Sequence, residues 1–452
     1  MAEKVDLFVV GTGGAARAAI VRCRRAGWSV AVADYQPYGG TSELRGCLPK
    51  VILTEVGRQV QHCRRLAEAR VIDHPPRLLW ERLIEFKRAL IRDVPRDTEA
   101  LFVSLGVQTL HGKARFVAPG RLAVNGREFE AGFTLIASGA YPRPLRIVGE
   151  ELVLTSDGFL ELDHLPPRVV FIGGGYISME FAHVAARAGA KVTVLERGPR
   201  LLRQFDKPLT DTLREASREA GVEILTKVDV TGVRREGAEF AVTGLQAGQA
   251  IEVRGDLVVH GAGRVPNLDA LDCKAGGVLR KGALSGVCVN EFMQSVSDPT
   301  VYAAGDCNDS PGLQLEPIAC IEGDAAALNM LGGNHRRVEY EGIPTVVFTS
   351  PRLAFVGLTE EQAASRGLAY DIIRRDMASW PSNRRLNLKY SGSAVLVDRH
   401  QGRIVGASLL GPNSEEVINL FGLAIRNKLP VAALEDMPFA FPTDASNIKD
   451  MV

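Results

Sequence analysis

Two stretches of this chain combine glycine, small residues and a later carboxylate in the same way. The strand-like run Val5–Val10 leads into Gly11-Thr12-Gly13-Gly14-Ala15-Ala16, and Val169–Ile172 leads into Gly173-Gly174-Gly175-Tyr176-Ile177-Ser178. Asp34 follows Gly11, and Glu196 follows Gly173, by the same 23 residues. This order suits the binding of a dinucleotide. Glycines permit a tight turn and close approach of backbone to a pyrophosphate, and the next helix offers free N–H groups and a partial positive charge. The carboxylate can accept hydrogen bonds from a ribose hydroxyl. Ala16 and Ser178 stand where the motif's third glycine belongs, and both are small enough for helix and strand to pack closely. One such turn is an ordinary feature of an α/β sheet. Two with equal intervals point to two dinucleotide sites.

Positioning these residues requires two strand–helix–strand units. The pattern predicts a helix after the first turn to about Arg25 and a strand Ser29–Ala33. It predicts a helix after the second turn to about Ala188 and a strand Lys191–Leu195. Helical spacing covers about 48–70 and 77–105, separated by Pro75-Pro76. Strand-and-turn segments cover about 107–136 and 222–260. Beyond about 340, Thr345–Thr349, Ala394–Asp398 and Ile404–Leu410 read as antiparallel strands with a Gln401-Gly402 hairpin turn, and helices follow near 414–428 and 431–436. The fold class is therefore α/β, with two Rossmann-like dinucleotide-binding domains and a C-terminal α+β domain.

Composition narrows the functions available. The 452 residues carry 54 Lys+Arg against 53 Asp+Glu, a formal charge of +1. That balance gives neither a nucleic-acid footprint nor a polybasic membrane patch, and no apolar run is long enough to span a bilayer. The first residues lack the apolar core of a secretory signal, so a cytoplasmic location is expected. Seven cysteines are too sparse for a disulfide scaffold. Cys23 and Cys63 read as helix residues, and 273, 288, 307 and 320 as core or loop thiols. None shows metal-ligand spacing, and no metal site is expected.

Further segments carry a resemblance. They are Gly39-Gly40-Thr41 with Gly46-Cys47-Leu48-Pro49-Lys50, then Leu135-Ile136-Ala137-Ser138-Gly139-Ala140, Gly261-Ala262-Gly263-Arg264-Val265-Pro266-Asn267 and Tyr302-Ala303-Ala304-Gly305-Asp306. With the two glycine turns, and with Ile343–Thr349 and Val356–Thr359, they make the chain resemble the FAD- and NAD(P)-dependent disulfide reductases, nearly end to end. The resemblance implies an FAD domain at 1–148 and an NAD(P) domain at 149–260. It implies a return to the FAD domain at 261–336, then an interface domain at 337–452 that forms a homodimer. It implies that Gly11, Gly13, Gly14, Asp34, Gly40, Thr41, Lys50, Ala114, Ser138, Gly139, Asp306 and Leu315 serve FAD, with Asp34 on the ribose and Asp306 on the ribityl chain. Gly173, Gly175, Tyr176, Ile177, Glu196, Arg197 and Gly263 would serve the nicotinamide nucleotide. Lys50 would lie beside the flavin, paired with Glu180, and Tyr176 would cover the empty nicotinamide pocket. Read without the resemblance, Lys50 and Glu180 are two solvated helix charges.

The chain departs from the family pattern at three places. The first thiol of the Cys-x-x-x-x-Cys pair is replaced by Ser42, leaving Cys47 alone. A hydroxyl is a far weaker nucleophile and forms no disulfide. Ser42 is either the natural residue or an engineered Cys-to-Ser change. The terminal His-Pro-Thr-x-x-Glu motif reads Phe441-Pro442-Thr443-Asp444-Ala445-Ser446, so the base is replaced by a phenyl ring that can carry no proton. Glu316 stands where the family usually has Thr near the flavin pyrimidine. It reads either as a partly solvated carboxylate or as a substitute acid–base group.

The expected activity is an FAD-dependent NAD(P)H oxidoreductase that delivers electrons to a small-molecule acceptor needing neither a dithiol nor a His base. Quinones, oxygen, metal ions and small sulfur compounds qualify. NADH is slightly favoured, because Glu196 would repel a 2′-phosphate, although Arg197, Arg200 and Arg203 lie close by. Two alternatives stand beside this reading. One is a thiol/disulfide-type reductase, or a carboxylase-like relative with Phe in place of the base, altered at Ser42. The other is a flavin-containing sensor without turnover.

Overall fold

The computed structural model describes residues 1–452, which divide into two compact units. The first comprises Met1–Pro49, Lys87–Arg143 and Gly263–Tyr340. At its centre five strands run parallel in the order Gln108–His111, Val30–Asp34, Glu3–Val10, Arg127–Ile136, Val301–Ala303. The first half of Arg127–Ile136 also carries an antiparallel extension through Arg121–Val124 and Arg115–Ala118. The central strands are apolar on both faces because both faces are covered. The helix Gly14–Arg25 buries Ala15, Ala16, Ala19, Ile20 and Cys23, the spacing of one helical face. Against it lies the helix Glu316–Gly332. Their backbones approach so closely at Gly323 that a Cβ there would stand 2.1 Å from the Ala15 carbonyl oxygen.

The second unit comprises Lys50–Phe86, Pro144–Ala262 and Glu341–Val452. It contains a four-stranded parallel sheet ordered Val222–Thr226, Lys191–Glu196, Arg168–Ile172, Leu257–His260. A three-stranded antiparallel sheet spans Val228–Gly255. A five-stranded antiparallel sheet follows in the order Thr345–Val347, Arg352–Gly357, Arg403–Gly411, Gly392–Asp398, Tyr370–Asp376. The helix Ser414–Arg426 closes its core with Val417, Ile418, Phe421, Ala424 and Ile425. The hairpin turn at Gln401-Gly402 is present, with Gly402 at φ +59°.

Several expectations are corrected. The helix expected over 77–105 is two helices, Trp80–Ile91 and Val94–Ser104, because Pro95 fits the first turn of a new helix rather than the middle of an old one. Strands Arg352–Gly357 and Tyr370–Asp376 were not expected. Cys320, read as a core or loop thiol, is a half-buried helix residue.

Candidate functional site

The strand order of the first unit reverses direction between Glu3–Val10 and Arg127–Ile136, so the crevice lies beyond the carboxyl ends of those two strands. Gly11 leaves the first strand at φ +103°, and a Cβ there would stand 2.3 Å from the Ala137 carbonyl oxygen that follows the second. Only glycine fits. Gly40, at φ +74°, presses on the same turn, and its Cβ would stand 2.5 Å from the Gly13 Cα. The first glycine turn and the Gly39-Gly40-Thr41 segment thus form one cradle. Asp34 ends its strand with one carboxylate oxygen taking the Thr12 hydroxyl at 2.7 Å and the other the Gln36 N–H at 2.9 Å. Burial pushes its carboxyl above the usual range.

The chain's own polar groups fit an FAD here. Ser138 Oγ is buried with no hydrogen-bond partner. Asp306 has its carboxyl pushed up to about 6, chiefly by burial and further by Glu322 and Glu316, against the pull of Arg264. A desolvated carboxylate and an orphan hydroxyl at one crevice suit a ligand rich in hydroxyls. Leu315 precedes the helix that begins at Glu316, and Ala114 is buried. Glu316 is not free in solvent. Its Oε1 lies 3.5 Å from Cys320 Sγ, and a Cβ on Gly14 would stand 2.1 Å from it. Ser42 lies on the short helix Gly40–Leu44, and Cys47 is exposed at the first position of the helix Cys47–Glu68.

The second unit repeats the device. Its four-stranded sheet reverses order between Arg168–Ile172 and Leu257–His260. Gly173 leaves the first strand at φ +101°, where a Cβ would stand 2.6 Å from the Gly261 carbonyl oxygen after the second. Gly175 caps the helix Tyr176–Arg187, which begins with Tyr176 and Ile177. Ser178, in the third glycine's place, is accommodated because the residue facing it is Gly261, whose Cβ would lie 1.9 Å from the Ser178 Oγ. Glu196 accepts the Gly174 N–H at 2.6 Å through Oε2, and the Gly198 N–H through Oε1. Arg197 is exposed beside it.

Within this unit Lys50 and Glu180 meet. Lys50 Nζ lies 2.9 Å from Glu180 Oε2, and Glu180 is 0% exposed. The solvated reading of these charges is thereby corrected. Glu180 Oε1 also accepts the Phe348 N–H at 2.8 Å. Burial pushes the Glu180 carboxyl up, against Lys50 and the Phe348 N–H. The ammonium lies 5.5 Å from the Tyr176 ring centroid and 5.2 Å from that of Phe348. Two rings and a carboxylate hold a desolvated lysine. Phe348 was not expected in this role, and an aromatic residue inside Val346–Thr349 gives no signal beyond strand propensity.

The terminal segment differs in character. Phe441 is 88% exposed, and Ser446 bonds only to Thr443. No three His, Cys, Asp or Glu side chains are grouped to hold a metal ion, and no helix is long and apolar enough to cross a membrane.

Residues 5–323 match the family model of pyridine nucleotide-disulphide oxidoreductases, and 343–452 match the dimerisation domain of the same family. A glutathione reductase of Burkholderia cepacia is 33% identical over 451 residues, covering 97% of this chain and 96% of that protein. A mercuric reductase of Staphylococcus aureus is 29% identical, covering 98% and 81%. The HOCl-induced flavoprotein disulfide reductase RclA of Escherichia coli superposes with a TM-score of 0.88 at 26% identity, covering 99% of each chain. Its Cu(II) complex gives 0.89.

Proposed function

Because the chain belongs to the pyridine nucleotide-disulphide oxidoreductase family, whose characterised relatives are FAD-dependent NAD(P)H oxidoreductases, we propose that it passes electrons from NADH through FAD to an acceptor other than a dithiol-exchanged disulfide. The acceptor class is a quinone, oxygen, a metal ion or a small sulfur compound. The observation that carries this reading is Phe441, exposed where the family resemblance implies a base, together with Ser42 where it implies the attacking thiol. A disulfide acceptor needs both a thiolate to attack and a proton for the leaving thiol, and these two residues supply neither.

The first crevice is read as the FAD site. FAD, when bound, accepts a hydride and releases electrons singly or in pairs. The chain's part is to hold and tune it. Gly11, Gly13, Gly14, Gly40 and Thr41 admit the pyrophosphate, and Asp34 accepts from the ribose. Asp306 accepts from the ribityl hydroxyls, Leu315 and Glu316 begin the helix directed at the pyrimidine, and Ala114, Ser138 and Gly139 line the remainder. In the second unit, Glu180 neutralises the buried Lys50. The second crevice is read as the nucleotide site, with Gly173, Gly175, Ile177 and Gly263 at the backbone and Tyr176 as lid. Glu196 is already anchored by two backbone N–H groups, which fixes a carboxylate that accepts from a ribose and repels a 2′-phosphate. That supports NADH over NADPH. Cys47 either relays electrons or stands aside. The unit is a homodimer in which the partner's Phe441 reaches the acceptor side and keeps it dry.

The test compares NADH oxidation with glutathione disulfide, lipoamide and a quinone under one set of conditions. Quinone turnover with negligible disulfide turnover is expected. Turnover of either disulfide within tenfold of an ordinary glutathione reductase refutes the proposal, and flavin bleached by NADH with no acceptor turning over leaves a sensor instead.

A further inference from the structure

One buried carboxylate in the first unit belongs to none of the motifs above. Glu322 is 1% exposed, in the middle of the helix Glu316–Gly332. It accepts four hydrogen bonds. Oε2 takes the Gly305 N–H at 2.7 Å and the Asn308 Nδ2 at 2.8 Å. Oε1 takes the Ser310 hydroxyl at 2.6 Å and the Tyr340 hydroxyl at 2.7 Å. Three of these donors, Gly305, Asn308 and Ser310, lie on the turn that carries Asp306. Asn308 Oδ1 in turn accepts the Ser310 N–H at 2.8 Å, so its amide has only one usable orientation. The next residue, Gly323, is where this helix touches the backbone of Gly14–Arg25, the helix that follows the first glycine turn.

From this geometry we infer that Glu322 is a positioning residue for FAD. It ties the Gly305–Ser310 turn to the helix that is itself locked on the dinucleotide helix, and so fixes where Asp306 presents its carboxylate. The inference rests on the reading of Asp306 as the ribityl partner. A desolvated carboxylate between a helix and a turn is costly unless its lone pairs are used, and here four donors use them. The charge also has a side effect, since it raises the proton affinity of Asp306. The position is held by hydrogen bonds rather than by charge. Gly305 N–H and Asn308 Nδ2 can only donate, so the Oε2 site must accept. The Ser310 and Tyr340 hydroxyls can turn, so the Oε1 site tolerates an N–H. Glutamine in one orientation therefore replaces glutamate with all four contacts kept.

The experiment titrates the full chain, stripped of flavin, with FAD and separately with ADP, which fills only the part of the crevice next to Gly11 and Asp34. Glu322→Ala is expected to weaken FAD binding by about tenfold or more, the worth of roughly one ionic hydrogen bond. Glu322→Gln should stay within about threefold of wild type, and ADP binding should stay within about threefold in both variants. General loosening of the fold would weaken ADP as well, and that result overturns the inference. So does a Glu322→Gln variant as poor as Glu322→Ala, which would make charge the cause. If Glu322→Ala is insoluble, Glu322→Asp asks the same question with the carboxylate withdrawn by one methylene. Weakened FAD with intact ADP supports the inference, and unchanged FAD overturns it. Asp306→Ala separates the two readings. Where it loses FAD and Glu322→Ala does not, the inference alone fails. Where Asp306→Ala keeps FAD, the ribityl reading itself fails.

Discussion

Replacing Asp306 by Asn should stabilise the flavin-free protein and weaken its grip on FAD. The Asp306 carboxyl is pushed from 3.8 up to about 6 in the folded chain, mainly by burial. At roughly 1.4 kcal/mol per pKa unit, that rise corresponds to about 3 kcal/mol. The sign follows from linkage. The folded state binds this proton more tightly than the unfolded state, so the group favours folding below about pH 4, and that advantage disappears as pH rises through about 6. At pH 7 the ionised, desolvated group costs the apoprotein up to about 3 kcal/mol, and Asp306→Asn should recover much of it. FAD acts in the opposite sense. If Asp306 is the ribityl partner proposed above, ribityl hydroxyls donate to its ionised form, so FAD binding must expel the proton. Affinity should then be about tenfold weaker at pH 5 than at pH 7, given a carboxyl titrating at about 6. The assay is urea unfolding of the stripped chain, and FAD titration by fluorescence quenching, for both proteins from pH 5 to 7.5. An Asn variant less stable than wild type at pH 7, or an FAD affinity equally pH-dependent in both proteins, refutes the reasoning.

Other predictions concern the redox and nucleotide groups. Glu180→Leu should destabilise the protein by about 3–5 kcal/mol, because it takes the carboxylate away from a buried ammonium; thermal unfolding reads the change. Ser42→Cys alone should leave glutathione disulfide turnover at least about 10²-fold below an ordinary relative, since Phe441 still provides no proton; steady-state NADH oxidation measures it. Cys47→Ala should leave quinone reduction within a factor of about three if electrons leave the flavin directly, and a collapse assigns the relay to the thiol. Glu196→Ala should raise kcat/KM for NADPH relative to NADH by about tenfold, the worth of one carboxylate–phosphate repulsion of roughly 1.4 kcal/mol.

Legibility in the sequence followed the range of the interactions. The two crevices could be read because each is written locally, as an apolar run, glycines and a carboxylate at one fixed interval. The Lys50–Glu180 pair could not be read from residues alone. The partners are 130 positions apart, and each carries the spacing of an ordinary helix charge. Only the resemblance paired them. Glu322 escaped for a similar reason. It is a lone acid among small residues, and its four donors lie on a turn and on Tyr340 rather than on a periodic face. Strand Tyr370–Asp376 was missed because it is an edge strand whose Asp371, Arg374 and Arg375 blur the alternation. The helix boundary near Asp93 is marked in the sequence by Pro95, which sits in the first turn of the helix Val94–Ser104.

The departures from the family are not spread evenly. At the second glycine turn the change has its structural answer in the facing residue: Ser178 fits because Gly261 opposes it. Such a pair leaves room for the altered residue without moving the turn. Ser42 and Phe441 have no answer of that kind. Neither the Gly40–Leu44 helix nor the Thr443–Ser446 turn gains a thiol or an imidazole, and the acids they carry are already engaged: Glu43 accepts from Arg17 at 2.7 Å and Asp444 accepts from Asn413 at 2.6 Å. A compensated change fits a function retained, and, on the proposed function, uncompensated changes at two groups that the disulfide reaction needs fit that reaction having been given up. On the proposed function, the reductive half of the enzyme is kept and its disulfide-handling half is not. For that reason the search for the acceptor belongs among molecules that take electrons from a flavin or a single thiol without a proton delivered by a histidine.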